Sequence, residues 1–150
     1  MSLRALSLIA DLQLALMLLT RLPAGHLAQA GDPPPLARAV WAYPIVGALV
    51  GAMGAGVLVG AATLGLAPSI AATLALAVCI LATGGLHEDG LADVADGFGG
   101  GQDRARKLEI MRDSRIGSYG TLALILSLAL RVQILAAFAG TAQSVGRFWP

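Results

Sequence analysis

The chain has 150 residues, a formal net charge of +1, 57% hydrophobic and 13% charged residues, and a mean hydropathy of +0.76. That balance excludes an ordinary water-soluble globule and fits a single helical membrane domain over 1–150. No basic stripe stands apart from the acids, so no nucleic acid is expected as a partner, and the lone Cys79 excludes an internal disulfide.

Leu3 to Leu19 is apolar except for Arg4, Ser7, Asp11 and Gln13. It falls short of the ~20 residues of a full span, so it either crosses the membrane or lies along its surface. Asp11 must then face the bundle, a wet cavity or water. Thr20-Arg21-Leu22-Pro23 closes this helix, because proline cannot continue the ladder. We read it as a helix end and not as a signal-peptide boundary. Residues 24–39 form a loop with His26 in solvent and a stiff, extended Pro33-Pro34-Pro35.

Three membrane spans are expected. Val40–Leu66 opens on the interfacial aromatics Trp41 and Tyr43 and carries Gly47, Gly51, Gly56 and Gly60 at helical spacing, a surface for close helix packing. Ser69–Gly85 runs directly into an acidic stretch, and Gly117–Gly140 carries Arg131. That arginine needs a carboxylate, a carbonyl or a route to water, and Asp11 is one candidate partner. Between the last two spans lie the Gly99-Gly100-Gly101 break and a short charged helix, Arg104–Arg115. The basic residues of this loop place it, and the acidic stretch, on the cytoplasmic side.

Nine carboxylates occur in the chain, and seven lie between Glu88 and Asp113. On a helix Asp89, Asp93 and Asp96 stand at i, i+4 and i+7, within an arc of about 60°. Like charges so placed repel, and a hard divalent cation would relieve them; magnesium takes one or two carboxylates plus phosphate oxygens. Gly90 and Gly97 leave room for a phosphate beside the acids. Lys107, Arg112 and Arg115 supply cations, with Ser114 and a fourth carboxylate, Asp113. Carboxylates, a metal and guanidinium groups are the parts of phosphoryl transfer. The spacing is equally that of a solvated helix face. His87 and Glu88 fall on other faces, each open as a general base or as a bystander.

His87-Glu88-Asp89-Gly90-Leu91-Ala92-Asp93-Val94-Ala95-Asp96-Gly97 and Glu109-Ile110-Met111-Arg112-Asp113-Ser114-Arg115-Ile116-Gly117-Ser118-Tyr119-Gly120 closely resemble the cobalamin synthase family, the adenosylcobinamide-GDP ribazoletransferases. Thr20-Arg21-Leu22-Pro23 and Tyr43-Pro44-Ile45-Val46-Gly47 resemble it more weakly. The resemblance implies a polytopic, all-α inner-membrane enzyme that requires Mg2+. Such an enzyme joins adenosylcobinamide-GDP to alpha-ribazole, or its 5'-phosphate, and releases GMP. By position, Asp89, Asp93 and Asp96 become expected metal ligands and catalytic residues, with Asp113 beside them. His87, Lys107, Arg112, Ser114 and Arg115 become substrate-binding candidates. Family members are longer, with further membrane helices, so the resemblance implies a C-terminally truncated member; Val145–Pro150 does not resemble the family's continuation. Membrane lipid is an expected partner, and a homo-oligomer is left open. Two other readings compete. A CDP-alcohol phosphotransferase also clusters aspartates on membrane helices, but its D-x-x-D-G-x-x-A-R pattern is absent. A cation transporter or channel fragment would use the acids for ion entry without a phosphate substrate.

Overall fold

The computed structural model describes the backbone of residues 3–24 and 35–148, and the side chains of 8–24 and 35–140. His26, Pro33, Pro34, Trp149 and Pro150, and the side chains of Val145 to Phe148, lie outside the described residues. Among the described residues the chain is all-α: α1 Leu3–Leu19, a 3-10 helix Leu36–Ala42 leading into α2 Tyr43–Thr63, α3 Pro68–Thr83, α4 Leu86–Gly100, α5 Arg104–Met111 and α6 Ser118–Phe148.

Two helical stretches are long and apolar enough to cross a membrane, Leu36–Thr63 and Ser118–Gly140. The remaining expected span takes a different form. α3 has 16 residues, about 24 Å at helical rise, which is short of a ~30 Å hydrocarbon core. It reaches span length only together with α4, and the two are bent by 88°. The acidic stretch therefore does not continue the axis of α3. The cause is the pair Gly84 and Gly85, with φ of +68° and +76°, a left-handed conformation that costs other residues about 1–2 kcal/mol each. Gly84 and Gly85 amides close the end of α3 by donating to the carbonyls of Leu81 and Ile80.

Small side chains let the helices approach. Ala71, Ala72, Ala75 and Leu76 of α3 are buried, and Gly54 of α2 sits where a Cβ would strike Cys79 Sγ. α2 packs on α3, α3 and α4 on α6, and α5 on α4. A smaller core joins Ala15 of α1 to Ala42 and Val46, flanked by Leu12, Leu16 and Tyr43.

Among the described residues the close packing expected of the other α2 glycines is not formed. Cβ atoms at Gly47, Gly51, Gly56 and Gly60 would meet nothing within 4 Å. Buried charges also pair otherwise than expected. Asp11, 3% exposed, accepts from Arg38 Nε at 2.9 Å and from Trp41 Nε1 at 3.3 Å. Arg131 donates to Glu88 Oε1 at 2.8 Å and to Ser127 Oγ. Each apolar-depth charge takes the opposite charge that its own helix packing brings near, so an Asp11–Arg131 pair does not occur.

Candidate functional site

The bend at Gly84-Gly85 swings α4 across one end of the bundle. Four segments meet there around a cavity of about 870 Å³: the end of α1 (Thr20, Arg21), the bend, one face of α4 (Glu88, Asp89, Asp93, Asp96) and the loop Arg112-Asp113-Ser114-Arg115-Ile116. The size is that of an ordinary small-ligand site.

The end of α1 is held by its own sequence. Thr20 Oγ1 donates to the Leu16 carbonyl at 2.7 Å and accepts from Leu22 N–H at 3.2 Å. Arg21 N–H then donates to the Ala82 carbonyl at 2.7 Å. Its side chain crosses Gly84 so closely that any Cβ there would collide with it. Arg21 is therefore a cavity cation that charge clustering did not reveal. Its only signal was the Thr20–Pro23 motif, read as a helix stop.

The three aspartates of α4 have different fates. Asp96 is 8% exposed and both its oxygens are engaged. Oδ2 accepts from Gly117 N–H at 2.7 Å and Oδ1 from Gly120 N–H at 2.8 Å. Gly117 immediately precedes α6 and Gly120 lies in its first turn, a helix end that leaves such donors unpaired and carries positive charge. A Cβ at Gly117 or Gly120 would run into the carboxylate, so both glycines are needed for this approach. Asp96 thus fastens α4 to α6 and holds the loop before α6 over the cavity. Asp89 and Asp93 line the cavity and form no side-chain hydrogen bond or ion pair among the described residues. The expected set of three ligands is accordingly not gathered. Among the described residues no group of three or more His, Cys, Asp or Glu is placed to hold a metal ion. Asp89 and Asp93 remain, and two carboxylates plus phosphate oxygens are what magnesium accepts.

Asp113 and Arg115 pair with each other: Arg115 Nη2 lies 2.6 Å from Asp113 Oδ2, and Arg115 N–H donates to Oδ1 at 3.1 Å. The side-chain bond from Arg115, then its backbone bond, hold the Asp113 carboxyl at a pKa of about 2, below the usual 3.8. The same pairing raises the Arg115 guanidinium. Arg112 and Ser114 line the cavity as expected. Lys107 and His87 do not. Lys107 sits over the Phe98 ring, 4.4 Å from its centroid, and His87 lines a second, apolar cavity. Nor does Gly97 offer bare helix surface, since Met111 and the Lys107 carbonyl cover it; Gly90 is open.

The profile of the cobalamin-5-phosphate synthase family matches residues 11–149. The chain belongs to that family. Both motifs that frame the cavity lie within the matched cobalamin-5-phosphate synthase region. Adenosylcobinamide-GDP ribazoletransferases from three bacteria are close relatives. That of Bradyrhizobium diazoefficiens is 58% identical over 133 residues, 89% of this chain and 51% of the relative. That of Azorhizobium caulinodans is 55% identical over 130 residues, 85% and 49%. That of Mesorhizobium japonicum is 53% identical over 135 residues, 90% and 51%. The chain spans about half the length of these curated relatives. No solved structure matches it.

Proposed function

We propose that this chain carries the diphosphate-handling site of a magnesium-dependent transferase. That enzyme moves the phosphocobinamide group of adenosylcobinamide-GDP to alpha-ribazole, or its 5'-phosphate, and releases GMP. The observation that carries the reading is one cavity lined by two carboxylates that have no side-chain partner among the described residues, Asp89 and Asp93, together with Arg21, Arg112 and Arg115. Asp89 and Asp93 would hold the magnesium ion, which would neutralise charge on the diphosphate when bound. Arg21 and Arg112 bind diphosphate oxygens with their planar forks. Arg115, already oriented by Asp113, presents its remaining donors to the same group. Asp96 touches no substrate and sets the position of the 112–117 loop. Family membership and the names of the relatives support the reaction assignment; a transporter or lipid-synthase reading has no comparable support.

The protein sits in the cell inner membrane with this cavity toward the cytoplasm. The basic loop and α5 support that side by the positive-inside rule, and Arg21, the bend and the 112–117 loop share one end of the bundle, while Gly140 lies near Pro68. Exposed Leu122, Ile125, Leu126 and Leu130 of α6 meet lipid. The test is GMP release by membranes carrying the chain, supplied with adenosylcobinamide-GDP, alpha-ribazole and Mg2+. Magnesium-dependent release, lost on chelation, is expected. No release, while membranes with a full-length relative are active, would refute activity of this chain.

A further inference from the structure

A second cavity, of about 500 Å³, lies on the other side of Glu88. Val46, Gly47, Val50 and Gly51 of α2, Leu76, Cys79 and Ile80 of α3, and Leu19 form its apolar wall. His87, Glu88 and Arg131 lie on the same lining, and Glu88 and Thr83 border both cavities. Two details set it apart from a packing fault. The Glu88 carboxylate spends one oxygen on Arg131, while the other, Oε2, is buried and makes no hydrogen bond among the described residues. A buried acceptor without a donor is costly, and a ligand donor would satisfy it. Secondly, Gly47 and Gly51 face open space where a packing face would be filled, so the absent side chains leave volume and not helix contact.

We infer that this cavity is the subsite for the acceptor alcohol: it takes an apolar, ring-bearing body and directs a hydroxyl past Glu88 toward the acid-lined cavity. The inference rests on the transferase reading above and adds where the second substrate lies. The Glu88–Arg131 pair is neutral as a unit, which suits an uncharged body better than a second phosphate. Glu88 borders both cavities, so a ligand that donates to its carboxylate has its polar end on the side of Asp89 and Asp93, where the diphosphate is held. An acyl chain would fill the same volume but leave Glu88 Oε2 without a donor.

The test measures binding of alpha-ribazole, and separately of adenosylcobinamide-GDP, to the 150-residue chain in lipid nanodiscs by equilibrium dialysis. Gly51→Leu puts a side chain into the open volume. It should weaken alpha-ribazole roughly tenfold or more and leave adenosylcobinamide-GDP within about twofold, since the sites are separate. Retained nucleotide binding also shows that the variant is folded. Gly56→Leu fills open space on the same helix outside both cavities and should change neither ligand. Unchanged alpha-ribazole binding in Gly51→Leu would overturn the subsite. So would failure of alpha-ribazole to bind the unmodified chain; if adenosylcobinamide-GDP still binds, the reading of the acid-lined cavity survives that failure.

Discussion

Asp93 and Asp96 lie one helical turn apart on α4, on the same face, and belong to different parts of the protein's physics. Asp96 is buried against two amides at the start of α6, those of Gly117 just before it and Gly120 within it, and its charge is consumed in joining two helices. Asp93, with Asp89, lines the cavity and has no side-chain partner among the described residues. Helical spacing states which side chains leave a helix together. What stands opposite each one decides whether its oxygens are free to meet a ligand.

The sharpest way to break this contrast is to neutralise each acid and read activity and stability separately. Asp93→Asn and Asp89→Asn should each lower GMP release about 100-fold or more, equivalent to ~2.7 kcal/mol of barrier. Thermal unfolding in detergent should barely move. A full rate in either variant would remove that residue from the proposed ion site. Asp96→Ala should do the reverse in kind. It strands two amide donors and should destabilise the chain by about 2–3 kcal/mol, seen as an earlier unfolding transition. If Asp96→Ala unfolds like the parent while its magnesium requirement rises steeply, Asp96 belongs with the ligands after all.

Gly120→Ala approaches the same joint from the other helix. Its Cβ would press on Asp96 and the Ala92 carbonyl, and a cost of about 1–3 kcal/mol is expected from overpacking. The smallest effect concerns the exposed loop. The Asp113 pKa is depressed in the folded chain, so the stability gained from its pairing with Arg115 is complete above its ordinary value of 3.8. It is lost as pH falls from there through about 2. NMR titration of the loop should show the pair intact at neutral pH and released only across that window, with the dependence gone in Asp113→Asn.

Much of the helical plan was legible because apolar runs of span length have few other uses. Tyr43–Thr63 and Ser118–Gly140 fall within three residues of the stretches that hydropathy marks. The 88° turn was less so. Consecutive glycines permit a left-handed pair, but a hydrophobicity profile does not register direction. At the site, Arg112, Ser114 and the acids could be gathered by motif and charge, since they are near in sequence. The partners of Asp11 and Arg131 could not. Both are isolated charges in apolar helices, and sequence offers no measure of which distant charge the packing delivers. The contacts of Asp96 are hidden for a related reason: periodicity describes its own helix, and the amides that bond its oxygens come from Gly117 and Gly120.

The bond from Arg21 N–H to the Ala82 carbonyl has a consequence for biogenesis. The first helix is synthesised early, yet its end can be secured only after the third has emerged from the ribosome and entered the bilayer. Until then the floor of the cavity is missing: an arrested nascent chain ending before Ala82 can pack α1 against Ala42 and Val46 but cannot fasten its end. Assembly of the cavity end of the bundle is thereby tied to completed insertion of α3.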